Sequence, residues 1–222
     1  MASRLQGLTR ELMAMRAARE LRNGEVVNLG IGLPTLVSNF LPDDAEIILQ
    51  SENGIVRYGP IAEEDFDPDL INAGGQPVTL QPGASFVSSD QSFGMIRGGH
   101  IDVAILGGLQ VSTHGDLANW FVPERGGGSV GGAMDLAVGA RRLIVLMEHI
   151  TRSGEAKLVQ RCSYPLTGAH CVDLVVTDLA VVAVTPDGFE LQEVAPGITP
   201  EDVERLTDAP LRRSSDLREM EF

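Results

Sequence analysis

Short runs of Val, Ile and Leu recur along this chain, and they do not alternate apolar with polar residues. They lie at Glu25 to Leu29, Glu46 to Gln50, Leu70 to Asn72, Ile101 to Leu106, Leu143 to Met147 and Leu174 to Val176. Successive strand residues point to opposite faces, so a strand with one wet face must alternate; continuous apolar runs suit parallel strands covered on both sides. Helical stretches stand between them. Leu5, Leu8, Leu12 and Met15 recur at helical spacing, with Thr9 as cap and Asn23-Gly24 as stop. Pro34 to Phe40 starts with Pro where a first turn tolerates it, Ser89 to Arg97 stops at Gly98-Gly99, and Ala133 to Val138 follows a glycine-rich loop. This alternation predicts an α/β fold, an open and mostly parallel sheet flanked by helices.

Leu179 to Thr185 and Phe189 to Val194 flank Pro186-Asp187-Gly188, which predicts a C-terminal β-hairpin at the edge of that sheet. Thr199-Pro200-Glu201-Asp202 supplies a cap, a first-turn Pro and early acids for a closing helix to about residue 207. At 222 residues one sizeable core is enough, so residues 1–222 read as a single domain, with its core over about 8–210 and a loosely held polar tail at 211–222.

The formal charge of -14, from 17 basic and 31 acidic side chains, disfavours condensation on a phosphate backbone, and no nucleic acid partner is expected. No apolar run approaches a bilayer span, and Met1 to Gly7 lacks the apolar stretch of a signal peptide, so the expectation is a cytoplasmic protein with no membrane partner. Cys162 and Cys171 lack CxxC spacing, and His100, His114, His149 and His170 are scattered; no metal site is expected.

The run ending at Gln50 continues into Ser51-Glu52-Asn53-Gly54. Ligands bind beyond the carboxyl ends of strands in open α/β sheets, and a carboxylate held there beside an Asn amide can serve as a nucleophile. Asn-Gly after an acid is equally an ordinary turn. Two glycine-rich loops precede helices. Asn28-Leu29-Gly30-Ile31-Gly32-Leu33-Pro34 has Thr35 where a dinucleotide fingerprint needs Gly or Ala, and Gly126 to Asp135 lacks the Gly-Lys-Ser/Thr ending of a phosphate loop. Exposed N–H groups of Gly131 and Gly132 at a helix start suit an anion or an oxyanion; a plain flexible loop is the other reading.

In order along the chain, Asn28 to Pro34, Ser51-Glu52-Asn53-Gly54, Leu70-Ile71-Asn72-Ala73-Gly74, Ile96-Arg97-Gly98-Gly99-His100, Gly115 to Trp120, Gly131-Gly132-Ala133-Met134-Asp135-Leu136, Met147-Glu148-His149 and Tyr164-Pro165-Leu166-Thr167-Gly168 resemble the B subunit of the class I 3-oxoacid coenzyme A transferases. The resemblance spans about residues 8–210. It implies the coenzyme A transferase type of α/β fold and a partner A subunit, usually in an A2B2 assembly. It also implies ping-pong transfer of coenzyme A between carboxylic acids, from succinyl-CoA to a 3-oxo acid such as acetoacetate or 3-oxoadipate. The family's nucleophile falls on Glu52, which would pass through a glutamyl-CoA thioester. Coenzyme A is then a substrate, and no permanently bound cofactor is expected. By motif position Gly131 and Gly132 become candidate oxyanion or coenzyme contacts, and Asn53 a residue orienting Glu52. Gly30 and Gly32 either line the same pocket or pack loop on sheet.

Two places depart from the family. Its members commonly carry Gly where this chain has Arg57, and a Pro-Gly-Lys start where it has Pro123-Glu124-Arg125. Arg57 suits a second carboxylate on the substrate, or is a solvated loop residue. The same motifs leave two alternatives, an acyl-CoA thioester hydrolase on this fold and a non-catalytic acyl-CoA-binding chain.

Overall fold

The apolar runs pair side by side in one ten-stranded sheet. The computed structural model describes residues 6–42, 44–64 and 66–222. In chain order the strands are β1 (Val26–Leu29), β2 (Ile48–Gln50), β3 (Ile55–Ile61), β4 (Val78–Phe86), β5 (Val103–Leu106), β6 (Arg142–Leu146), β7 (Leu174–Val176), β8 (Ala180–Thr185), β9 (Gly188–Val194) and β10 (Leu211–Glu219). Across the sheet they run β10, β9, β8, β7, β6, β5, β1, β2, β3, β4. The central five, β7 through β2, are mutually parallel, with Val27 paired to Leu49 on one side and Val103 on the other. Val27, Leu49, Ile105, Ile144 and Val175 have no exposed surface, as continuous apolar runs require. Each such side chain contributes about 1.5–3 kcal/mol relative to an exposed one.

Among the described residues four α-helices flank the sheet: α1 (Arg10–Ala18), α2 (Ser89–Arg97), α3 (Ala133–Gly139) and α4 (Pro200–Arg205). Thr9 caps α1 by accepting the Leu12 N–H, and Thr199 caps α4 by accepting that of Asp202. The buried face of α1 differs from the expected one: Met13, Ala14, Ala17 and Ala18 are buried, with Leu12 and Met15 at the margin. Leu8 precedes the helix, and Leu5 lies outside the described residues. Residues 33–40 form a 3-10 helix, packed against α1.

Three expectations are corrected. Leu70 to Asn72 is not a strand; it makes a single bridge, Ile71 to Pro77. The hairpin β8–β9 is internal, because β10 continues the sheet beyond it. Residues 211–222, expected to be a loose tail, supply that strand, parallel to β9, and Met220 is buried. Its charged side chains make ion pairs. Arg213 reaches Glu201 and Glu204 of α4, and Arg218 reaches Glu193 of β9. Glu193 also accepts from Arg16 Nε at 2.6 Å, and Arg16 shares Glu20 with Arg142, so one cluster, buried at the Arg16–Glu193 pair, ties α1, β6, β9 and β10 together.

The strands β3 and β4 were not expected either. Gly59 and Pro60 interrupt the first, Pro82 and Gly83 the second, and the ladder between them shifts register. Such breakers are tolerated where β4 forms an open edge. No helix among the described residues is long and apolar enough to cross a membrane.

Candidate active site

In the central parallel strands the chain moves from β1 outward to β2 on one side and later to β5 on the other. Loops leaving β1 and β5 at their carboxyl ends therefore diverge, the arrangement that opens ligand crevices in such sheets. The tip of β2 borders this point, and Glu52 follows it by two residues.

The turn holding Glu52 is fixed from several directions. Ser51 N–H donates to Ile55 O at 2.8 Å and Gly54 N–H to Ser51 O at 2.9 Å. Gly54 has φ 109° and a Cβ there would stand 2.0 Å from Val87 O, so only glycine fits. Ala73 N–H donates to Ser51 Oγ at 2.9 Å, bringing the 70–74 segment against the turn. Beneath it lies a buried polar network. Asn28 Nδ2 donates to Gln50 Oε1 at 2.7 Å, Gln50 Nε2 donates to Ser92 Oγ at 2.6 Å, and Ser92 Oγ donates to Ser51 O at 3.1 Å. Asn28 Oδ1 is buried with no partner among the described residues.

Glu52 itself is half-buried, and its carboxyl group lies flush against Gly132, the residue before α3. A Cβ on Gly132 would stand 2.6 Å from Glu52 Cδ and 2.7 Å from each carboxylate oxygen. The two segments that sequence motifs singled out 80 positions apart thus meet side by side. The Gly131 and Gly132 N–H groups have no hydrogen-bond partner among the described residues. Gly131 makes the turn with φ 51°. Burial, and secondly the charge of Asp135 in the first turn of α3, raise the Glu52 carboxyl above the usual carboxylate range. Asp135 is held by Arg97 of α2 at 2.7 Å. A raised pKa marks a more basic carboxylate, hence a better nucleophile once ionised.

The other candidate residues stand differently. Asn53 does not orient Glu52 through its amide, because Nδ2 donates to Ile71 O at 2.6 Å; it anchors the turn instead. Gly30 packs loop on sheet: its N–H donates to Ile105 O at 2.8 Å, and a Cβ would meet Leu106 Cδ2 at 2.9 Å. Gly32 lines a shallow depression of about 450 Å³ with Arg10, Ile31 and Gly74. Arg57 makes no ion pair among the described residues; its Nη1 donates to Pro82 O at 3.1 Å across the β3–β4 hairpin. Its backbone is left-handed, φ 64°, at a register shift, which accounts for a position where glycine is the natural occupant. The 123–125 segment is a 3-10 turn, followed by Gly127–Gly128 paired with Phe121–Val122.

Sequence reasoning did not single out Gln50, Ser92, Asp135 or Asn28 for a role in the site. The signal for two of them was legible: Asn28 and Gln50 are polar residues inside apolar runs, near the same ends of neighbouring strands.

The family model for coenzyme A transferase matches residues 10–205, and the chain belongs to that family. Its relatives narrow the class to the B chain of a two-component enzyme, which implies a companion A chain. The chain is 51% identical over 206 residues to the B component of the 3-oxoadipate CoA-transferase of Pseudomonas putida, covering 92% of this chain and 96% of that one. It is 50% identical over 201 residues to the B component of the probable succinyl-CoA:3-ketoacid coenzyme A transferase of Bacillus subtilis, covering 90% and 93%. The fold matches the acyl-CoA transferase YdiF apoenzyme of Escherichia coli O157:H7 with a TM-score of 0.76 at 22% identity, spanning 100% of this chain and 45% of that longer one.

Proposed function

We propose that this chain moves coenzyme A from succinyl-CoA to a 3-oxo acid, acetoacetate or 3-oxoadipate, through a coenzyme A thioester on Glu52. The single observation that carries the reading is the contact between the half-buried Glu52 carboxyl group and Gly132, just past the tip of β2.

An ionised carboxylate needs no base, since it has no proton to lose. Its oxygen attacks the thioester carbonyl carbon of succinyl-CoA, and negative charge moves to the carbonyl oxygen. The unpaired N–H groups of Gly131 and Gly132 are the nearest candidates to receive that charge. The C–S bond breaks, coenzyme A leaves as thiolate, and an acyl-glutamyl anhydride remains. Thiolate then attacks the Glu52 carbonyl carbon, succinate leaves, and Glu52 carries coenzyme A as a thioester. The acceptor acid reverses these steps. Binding of the remote parts of coenzyme A offsets the cost of desolvating the carboxylate.

The A chain, in an A2B2 assembly, completes the pocket in this reading. Exposed Ile31, Phe86 and Val130, on the loops and strand flanking the Glu52 turn, are apolar surface that such a partner would cover. The 3-oxo acid class is supported by the names of the two relatives.

The test is Glu52→Gln in the assembled complex. Exchange of coenzyme A between acids should fall to background, while the complex still assembles; full activity would remove the nucleophile. Release of free coenzyme A with and without acceptor acid separates transfer from hydrolysis, since a transferase turns over only with the acceptor.

A further inference from the structure

Lys157 is the only lysine in the chain; every other one of its 17 basic side chains is an arginine. It lies beyond the carboxyl end of β6, where its backbone N–H donates to His149 O and its carbonyl accepts from Val111 N–H. The side chain is only 10% exposed, yet it is poorly partnered. Nζ stands 3.8 Å from Glu148 Oε2, on a glutamate that is 62% exposed, and donates no hydrogen bond among the described residues. It borders a cleft of about 1220 Å³ whose walls include Ile150, Tyr164, Asp178, Leu179 and Leu206. That volume is ample for a small-molecule ligand.

A structural cation would serve better as arginine here, since a guanidinium grips a carboxylate with two donors and carries no amine. What lysine alone offers is a primary amine that becomes a nucleophile when its proton is lost. We propose that Lys157 is an acyl-acceptor site, taking the acyl group of an acyl-CoA thioester that enters this cleft. The amine nitrogen attacks the thioester carbonyl carbon, a C–N bond forms, the C–S bond breaks, and coenzyme A departs as thiolate. The ammonium proton goes first to Glu148 or Asp178, and the second nitrogen proton leaves with the thiolate as thiol. The product is an amide with no charge.

The surroundings fit this chemistry. Burial lowers the amine below the ordinary lysine range, against the opposing charges of Glu148 and Asp178. Asp178 is itself raised by burial. His149 takes no part: both ring nitrogens are engaged, by Thr177 and Thr207, and burial pushes its pKa down to about 4. Glu124, Glu155, Asp202, Arg152 and Arg205 stand further along the cleft wall.

The inference rests on the proposed function only for the presence of acyl-CoA, and one sample tests the two separately. The assembled complex is incubated with succinyl-CoA or acetyl-CoA and divided. Intact mass of one half reads coenzyme A on Glu52; the other half is treated with hydroxylamine, which removes thioesters and leaves amides, and is mapped by peptide mass. Lys157 should carry a hydroxylamine-stable acyl group, formed at least about tenfold faster than on a synthetic peptide of residues 152–162, because the cleft holds the thioester beside the amine. Lys157→Arg should abolish that adduct and leave the Glu52 thioester in place; Lys157→Met serves if the arginine variant is unstable. A rate no greater than the peptide's, or no adduct while Glu52 is loaded, overturns the inference and spares the transfer reading. Acylated Lys157 with unmodified Glu52 does the reverse.

Discussion

Replacing Gly132 by alanine adds one methyl group directly against the Glu52 carboxyl group. Gly132 has φ -89°, which alanine adopts without strain, so the backbone has no reason to move. The added carbon would stand 2.6 Å from Glu52 Cδ. Ordinary carbon contacts lie at about 3.5–4.0 Å, so the carboxyl group must retreat by about 1 Å. It is the far end of a flexible side chain, and the retreat costs the fold little, under about 1 kcal/mol, or a Tm change of no more than about 2–4 °C. Catalysis is more sensitive: a displacement of about 1 Å in a reacting group can cost about a hundredfold in rate, equivalent to about 2.7 kcal/mol of barrier. The control is a glycine outside the site. Gly197, between β9 and α4, has φ 77° and open space around it, so Gly197→Ala should lose about 1 kcal/mol of stability to backbone strain and little of the rate. Both variants are assembled with the A chain, melted, and assayed for exchange between succinyl-CoA and acetoacetate. If Gly132→Ala keeps its rate within twofold, or if Gly197→Ala loses as much, the seating of Glu52 on Gly132 has no catalytic meaning.

Three further outcomes follow from the same contacts. Glu193→Gln removes the acid that Arg16 and Arg218 share, and with the Arg16 side chain 7% exposed it should cost about 3–5 kcal/mol in denaturant unfolding. Arg57→Gly should relieve the left-handed backbone and change Tm upward or not at all, with about 1 kcal/mol as the gain from strain offset in part by chain entropy. Glu52→Gln should raise Tm at pH 8: the folded-state pKa of Glu52 is raised, so the ionised form opposes folding above that pKa, and the advantage of the amide should vanish below about pH 4, where the glutamate is protonated in both states. A melting difference that grows on acidification would contradict the buried placement.

Whether an element is legible in the sequence depends on what holds it in place. The parallel strands were legible because burial on both faces writes itself as Val, Ile and Leu without interruption, as at Ile47 to Leu49 and Leu143 to Leu146. The edges were not. Strand β4 tolerates Pro82 and Gly83 because one of its sides needs no partner, and β10 is charged because ion pairs to α4 and β9 hold it, neither of which leaves a periodic signature. In α1 the stripe of large apolar residues misled, since Ala14, Ala17 and Ala18 face the interior and let the helix approach closely. At the site, Glu52 and Gly132 were legible as motifs, but their contact is a property of the fold. Asn53 misled for the converse reason: adjacency in sequence to Glu52 says nothing of where an amide points, and this one points to Ile71. Arg57 was recognised as a departure, and only its φ explains what the departure costs.

If Glu52 is the nucleophile, it becomes covalently bound to coenzyme A during turnover. The direct measurement is the intact mass of this chain after the assembled complex meets succinyl-CoA without acceptor, with peptide mapping of any adduct. The expected result is a gain of one coenzyme A less water, located on the peptide containing Glu52, discharged by acetoacetate or 3-oxoadipate and absent from Glu52→Gln. Turnover with no such adduct, or with coenzyme A attached at another residue, would contradict it.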